Sequence, residues 1–449
     1  MNMKQRLIYT SIGFIVLCLL SYLVNGQTVK LSMKDALSLA ITHNREIAIA
    51  KLDIDKSEQE IKKARSLQLP VASANAQLAH YFKEPAFFGF GNANTSDDKI
   101  PYGRFGGKDQ GALSIAITQP LYNPAARPAK IYANLLNEES RILLSGKETD
   151  IAALLKQTYI QLLVLTERIK LQKESVNRNR KALEDAKSLL AQGRALRVDT
   201  LRAYTSVKNL EPDLLRLTYA IEVGKQQLKT IIGIDSLNEI ELSDSLYVDN
   251  NLSVLTEEEV FSRASENRAD IKALTLQPEL DEQQTKIAAS AMKPTVAVTG
   301  QYLVQTQATQ FNYFNSFYPS TPFVGAQLTV PIFNGFLNKA KVKSSQIQKH
   351  QSEIKLTNAK EQLKAEVKQV VANVRETSSR IQTSLNVKET AQLSYDITQY
   401  RYGRGVASRL ELTDAELALT TAQSNYLEAV YDYLSAHIAL NRTIGITGD

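Results

Sequence analysis

One stretch of this sequence occurs twice. GRALRVDTLRA begins at Gly193 and GVASRLELTDA at Gly405, and 40 residues beyond each glycine stands another, Gly233 in IIGI and Gly445 in TIGI, so the offset is 212. Upstream, TQPLYNP around Pro120 returns as TVPIFNG around Pro331, an offset of 211. NREI at Asn44 resembles NRADI at Asn267, and each reaches a proline 26 or 27 residues on, Pro70 or Pro294. The copies differ mainly between their first and second prolines, where the first copy is longer by 13 residues. Length alone, 449 residues, would suggest two or three ordinary domains. The repeat replaces that expectation with two copies of one unit of roughly 210 residues, so both halves must adopt the same fold.

Each unit opens with an amphipathic helical stretch, then shows two short alternating segments, then two very long helical patterns. In VASANAQLAHYF, Ala72, Ala74, Ala76, Leu78 and Phe82 share one face against Ser73, Asn75 and Gln77. In GALSIAITQ, Leu113, Ile115 and Ile117 oppose Ser114 and Thr118. TVAVTGQYLVQ and PFVGAQLTVPI repeat the alternation in the second unit. Period two predicts strands, at about 71–83 and 110–121, then about 295–305 and 322–333. Each pair brackets a loop rich in aromatic and small residues, EPAFFGFGNANTSDDKIPYGRFGG and FNYFNSFYPS. An ordinary soluble hairpin would show the same alternation. Segments of about ten residues are also the length that crosses a bilayer when tilted, and aromatics at one end suit an interfacial girdle.

The helical patterns exceed anything a globular domain needs. No proline follows Pro128 until Pro212, and none follows Pro331. Ile151, Leu155, Thr158, Leu162, Leu165 and Ile169 step by four and three, the spacing of a coiled coil. Long helices are expected over about 123–192 and 196–232, and again over about 335–403 and 407–444; the first would be roughly 100 Å long at 1.5 Å per residue. The repeats then span 27–233 and 250–446 and form one intertwined unit. Pro212 and Pro278 fall inside helical patterns, where a kink is the local expectation.

Lys4 and Arg6 precede an apolar run from Leu7 to Val24, then a short polar and small segment, the order of a secretory signal over residues 1–26. An uncleaved inner-membrane anchor is the alternative, since the run is just long enough to span. Cys18, the only cysteine, lies inside this segment, so a mature chain would hold no disulfide and no cysteine metal site. Without Lys4 and Arg6 the formal charge falls from +6 to +4, a balance that argues against a nucleic-acid partner.

If the strands lie in lipid, their sheet must close, because an open edge leaves backbone groups without partners. Four strands are too few for a barrel, whose smallest examples have about eight, so several copies must share one. Two copies would give about eight strands and a filled interior; three would give about twelve and room for a channel. The polar faces, with Ser, Thr, Asn and Gln, suit a wet lumen. A homotrimer of duplicated chains is therefore expected, with approximate sixfold symmetry.

The paired Asn44 and Asn267 regions, the QPLYN and VPIFN strand ends, and the GxxxRxDxxxA and GxxxRxExxxA turns closed by IIGI and TIGI are similar to those of the TolC-like outer-membrane efflux proteins. The resemblance covers nearly the whole chain after residue 26. It implies a mainly α fold carrying a membrane β-barrel part: long coiled-coil hairpins in a periplasmic α-barrel, four strands per chain, and a trimer with a twelve-stranded barrel in the outer membrane. It also implies an exit duct of a tripartite efflux or secretion system, in contact with outer-membrane lipid. The partners would be a periplasmic adaptor (membrane fusion) protein and an inner-membrane pump of the RND, ABC or MFS type. In such proteins the two glycine turns are periplasmic hairpin tips where the adaptor docks, which places Gly193, Arg197 and Gly405 there. The acidic constriction ring falls on Glu411 and Asp414. The latch acid and tyrosine match Asp199 and Tyr402; the latch arginine position is Ala407, leaving Arg404 or Arg409 to replace it.

Plainer readings stand beside these. Acids favour the first turns of a helix, and that alone accounts for Glu416 and competes for Glu411 and Asp414. Arg197 and Arg409 suit an adaptor surface or open solvent equally. Gly193 and Gly405 suit a turn between helices that needs positive φ. Catalysis finds no motif: His43, His80, His350 and His437 are isolated, and GFGNAN at 89–94 lacks the third glycine and helix of a phosphate loop. Neither an enzyme activity nor a cofactor or metal is expected. A trimeric adhesin or autotransporter would place its four strands together at the C-terminus, and a periplasmic coiled-coil scaffold would lack membrane strands; these are the alternatives.

Overall fold

The computed structural model describes residues 29–88, 102–104, 106–234, 239–247, 255–310 and 317–447. The expected signal segment and most of both aromatic loops lie outside them. Eight helices appear among the described residues: α1 (Met33–His43), α2 (Arg45–Ser66), α3 (Ala126–Ala191), α4 (Arg197–Ile232), α5 (Glu257–Asn267), α6 (Ala269–Ser290), α7 (Leu337–Gly403) and α8 (Arg409–Ile444). The duplication is visible in their lengths. α1 and α5 have 11 residues, α2 and α6 have 22, α4 and α8 have 36, and α3 and α7 have 66 and 67. Neither internal proline ends its helix: α4 runs through Pro212 and α6 through Pro278. Among the described residues no helix is long and apolar enough to cross a membrane.

The strands are β1 (Val29–Leu31), β2 (Val71–His80), β3 (Ala86–Phe88), β4 (Tyr102–Arg104), β5 (Asp109–Tyr122), β6 (Ile240–Leu242), β7 (Thr295–Ala308) and β8 (Ser320–Thr329). Three strands depart from the sequence reading, and one of them, β7, simply runs on to Ala308 instead of ending near 305. β2 stops at His80, not 83: Tyr81 N–H still reaches Lys108 O at 2.6 Å, but the partner strand begins only at Asp109, so Phe82 is 91% exposed beyond the ladder. β8 runs over 320–329 instead of 322–333, because Val330 leads into Pro331, which has no N–H to give.

The chain forms two units. One contains Ile54–Ser140 and Leu274–Lys355 and holds a four-stranded antiparallel sheet in the order β2-β5-β7-β8. Its register sorts the side chains. Ala74 lies opposite Ile115, Ile115 opposite Tyr302, and Tyr302 opposite Pro322, while one residue along Ser73 lies opposite Ala116, Ala116 opposite Gln301 and Gln301 opposite Phe323. One face thus carries Leu113, Ile115, Ile117, Val298, Val324 and Leu328; the other carries mostly Ser, Thr, Asn and Gln, with Thr118 and Thr299 hydroxyls 3.2 Å apart. The apolar face is uncovered, with Ile115 at 52% and Val324 at 80% exposure. Both edges, β2 and β8, lack a neighbour among the described strands.

The other unit gathers the described residues up to Asp53, Arg141–Ala273 and those from Leu356 on. Two equivalent cores form in it. Leu155, Tyr159 and Leu162 of α3 pack with Leu228 and Ile232 of α4 and Ala36 and Ala40 of α1; Leu363, Val367 and Val374 of α7 pack with Leu440 and Ile444 of α8 and Val260 and Ala264 of α5. The closing glycines explain why distant motifs recur together. Gly233 and Gly445 cap α4 and α8 in the left-handed region, φ 83° and 82°. A Cβ on Gly233 would land on the His43 carbonyl, and one on Gly445 would come within 2.9 Å of Arg268 backbone. IIGI and TIGI therefore press on the α1–α2 and α5–α6 junctions. At the first junction Asn44 Nδ2 donates to Ile231 O at 2.7 Å while its Oδ1 accepts from Glu46 and Ile47 N–H. At the second, Arg268 and not Asn267 stands in Asn44's place, and Asp270 accepts the Ile271 N–H.

The short parallel pair β1–β6 escaped sequence reading. It holds Asp244 at the start of α1, where the carboxylate accepts from Met33 N–H at 2.7 Å and from Tyr159 O–H at 3.1 Å. The Tyr159 hydroxyl also sits 2.9 Å from Leu31 O, and burial pushes its pKa well above the ordinary value.

Candidate functional site: the two hairpin tips

The turns after α3 and α7 are closed by the same two backbone bonds. Gly193 N–H donates to Leu190 O at 2.9 Å and Arg194 N–H to Leu189 O at 2.8 Å; at the second tip Gly405 N–H donates to Tyr402 O at 2.9 Å and Val406 N–H to Arg401 O at 2.9 Å. Both glycines have positive φ, 69° and 75°, which closes the last turn of the helix and reverses the chain. A Cβ at either meets nothing within 4 Å, so backbone conformation, not crowding, demands glycine here.

The acids that follow are also equivalent. Asp199 is the third residue of α4, and its Oδ2 accepts the Leu196 N–H at 3.1 Å. Glu411 is the third residue of α8, and its Oε1 accepts the Ser408 N–H at 3.3 Å and the Ser408 hydroxyl at 3.0 Å, while Glu411 N–H donates back to Ser408 Oγ. This is a capping box. Those bonds, the backbone one foremost, hold the Glu411 carboxyl below the usual carboxylate range. Glu411 and Asp414 are both exposed.

Among the described residues no bond joins Asp199 to Tyr402, Arg404 or Arg409 of the same chain. The aromatic and cationic groups pair locally instead: the Arg409 guanidinium lies 5.9 Å from the Tyr402 ring centre and that of Arg404 lies 5.2 Å from Tyr400. Ala407, at the expected arginine position, is buried under the turn. Arg197 opens α4 and is exposed.

Glu416 departs from its expectation as a solvated dipole partner. It is only 7% exposed, and its Oε1 accepts from Asn179 Nδ2 at 2.9 Å and from Arg178 Nε at 3.2 Å, tying α8 to α3. Asn179 also donates to Ser175 O, and the Arg178 guanidinium faces the Tyr395 ring of α7 at 5.8 Å. Burial first, then the Glu416 charge, raises the Tyr395 pKa. Sequence periodicity places Glu416 on a helix but gives no sign of partners 237 and 238 residues away. Among the described residues no group of three or more His, Cys, Asp or Glu is placed to hold a metal ion.

A family model described as outer membrane efflux protein matches residues 36–234 and 260–446. Nodulation protein T of Rhizobium leguminosarum bv. trifolii is 21% identical over 298 residues, which cover 64% of this chain and 61% of that protein; the match thus spans less than two thirds of the relative's length. Three solved structures share the fold. The outer membrane protein VceC of Vibrio cholerae superposes with a TM-score of 0.69 at 17% identity, covering 92% of this chain and 96% of that one. The Campylobacter jejuni CmeC outer membrane channel gives 0.74 at 14%, covering 92% and 85%. The open state of the Neisseria gonorrhoeae MtrE outer membrane channel gives 0.69 at 17%, covering 92% and 89%.

Proposed function

The chain belongs to the outer membrane efflux protein family, and from that premise we propose that it is the outer-membrane exit duct of a tripartite efflux or secretion system, working as a homotrimer. The observation that carries this reading is the four-stranded sheet: it has one apolar face, one polar face and two edges without neighbours among the described strands. In lipid such a sheet is stable only when its edges meet other copies, and three copies supply twelve strands and a wet lumen. The long helices then form a periplasmic α-barrel whose hairpin tips carry Gly193, Arg197 and Gly405 toward an adaptor protein, behind which stands an inner-membrane pump. The substrate passes through the lumen unchanged, which fits a family and fold of channels.

At the tip, Glu411 and Asp414 are assigned to a constriction ring. Their exposure in the single chain supports this, because both carboxylates are open to whatever the other copies present. The capping box of Glu411 is compatible with the role, since it orients the carboxylate without burying it. Asp199 and Tyr402 are assigned to a latch between copies, with Arg409, already against Tyr402, the better replacement for the missing arginine than Arg404.

Planar-bilayer recording of the purified protein tests both assignments. Glu411→Gln with Asp414→Asn is expected to weaken cation selectivity, and Asp199→Ala to raise conductance. Selectivity and conductance equal to wild type would remove the ring and the latch respectively.

A further inference from the structure

The end of the sheet that feeds the long helices is positively charged without a counter-charge. Register puts the junctions together there, since Tyr122 lies opposite Val296 and Thr295 opposite Thr329. Around it stand Arg127 and Lys130 on α3, Lys293 before β7, and Lys339, Lys341 and Lys343 on α7; Asn338 Nδ2 ties the start of α7 to Ala291 O at 2.8 Å. No aspartate or glutamate occurs over 119–137, 283–296 or 329–352. All six cations are exposed, and none forms an ion pair with a described residue. Further along, lysines do find acids, as Lys349 finds Glu282 at 3.0 Å. The opposite end of the sheet is also balanced, with Lys108 at 3.8 Å from Glu84 and His80 at 2.6 Å from Asp109. Arg127 and Lys130, and likewise Lys339 and Lys343, stand one turn apart on their helices, where like charges repel. Their position in the first turns opposes the helix dipole as well. Folding alone gives no reason for this collar.

Apolar groups share the collar. Ile332 is 95% exposed, Phe333 73% and Phe336 67%. The two phenylalanine rings meet edge to face at 5.3 Å, and with Met292, Ile332 and Lys339 they line an open groove of about 260 Å³. Phe336 holds φ at 66°, a strained conformation for a bulky residue that glycine would enter freely. The strain keeps an aromatic ring beside a lysine. We infer that this collar binds the headgroups of anionic phospholipids in the leaflet nearest the helices, the cations meeting phosphate while Ile332, Phe333 and Phe336 meet the acyl boundary. Charge complementarity selects this occupant, because a zwitterionic headgroup brings its own ammonium and leaves the six cations uncompensated. Depth agrees with it. Lys339 and Lys343 lie about 6 Å apart along α7, within a headgroup layer roughly 5–7 Å thick. This inference rests on the membrane reading of the sheet and adds the class of lipid.

Dioleoyl phosphatidylglycerol and dioleoyl phosphatidylcholine, equal in chains and different in charge, test the site. Each is titrated into the purified protein in detergent, and retained lipid is read by native mass spectrometry. Wild type is expected to retain phosphatidylglycerol at concentrations about tenfold below those phosphatidylcholine needs, and added salt to shrink that preference. Arg127→Gln, Lys130→Gln, Lys339→Gln and Lys343→Gln combined are expected to bring the two lipids level. Lys63→Gln with Lys208→Gln, lysines paired with Glu60 and Glu211, is expected to keep the preference. If the fourfold variant fails to assemble, Lys339→Gln with Lys343→Gln repeats the test. Equal retention of both lipids by wild type, or an unchanged preference in the assembled variant, overturns the site and leaves the membrane reading standing. Failure of reconstituted wild type to float with phosphatidylcholine vesicles overturns both.

Discussion

Asp199 and Glu411 stand at one position of a repeated unit and do one local job, accepting the N–H of the residue that precedes their helix. Sequence reading gave them separate roles, latch and ring, because resemblance assigns roles by motif while the shared capping geometry is visible only in the bonds. Glu411 has the Ser408 hydroxyl as a further partner, and the backbone and hydroxyl bonds together depress its pKa below the ordinary value of 4.5. A depressed carboxyl stabilises the fold above its unfolded value and loses that contribution as pH falls through the folded value. Ser408→Ala keeps the backbone bond and removes the hydroxyl ones, so it should raise the Glu411 pKa part of the way back, read by carboxyl NMR titration; an unmoved titration would contradict the hydroxyl half of the capping box. Glu416 is the residue that periodicity misjudged most. Its buried pairing with Arg178 and Asn179 predicts that Glu416→Ala costs about 3 kcal/mol, well beyond Glu411→Ala, in thermal or denaturant unfolding. Equal losses would contradict the burial. The glycines rank in the same way: Gly193→Ala meets open space and bears only backbone strain, about 1 kcal/mol. Gly233→Ala adds a clash with the His43 carbonyl and should destabilise clearly more.

At the scale of elements, the long helices and the four main strands were legible because each repeats its period over many residues and occurs twice. The joint between the repeats was not. β5 and β7 pair residues far apart in sequence, such as Ile115 with Tyr302, 187 positions on, and alternation says nothing about which strands are neighbours. β1 and β6 are three residues each, too short to show a period. Strand ends were set by chemistry outside the alternation, at β2 by the start of its partner and at β8 by Pro331. The sheet's two faces give a paired prediction. Ile115→Arg, on the apolar face, should cost about 2–4 kcal/mol in membrane stability if it lies near mid-bilayer and lower the yield in outer-membrane fractions. Gln301→Arg, on the polar face, should leave that yield near wild type. Comparable losses from both would mean that the polar face does not line water.

For the whole molecule, the decisive fact is that the chain holds two similar repeats in one sequence, and neither its sheet edges nor the α4 face is completed by its own described residues. The repeat was readable from the glycines at 193, 233, 405 and 445; what completes it was not, because that depends on surfaces and not on motifs. Membership of the outer membrane efflux protein family agrees with a closed duct, and the number of copies decides whether that duct has a lumen. Native mass spectrometry of the protein released from detergent measures that number. Three chains per particle is the expected result; a stable particle of one or two chains would contradict a shared twelve-stranded barrel.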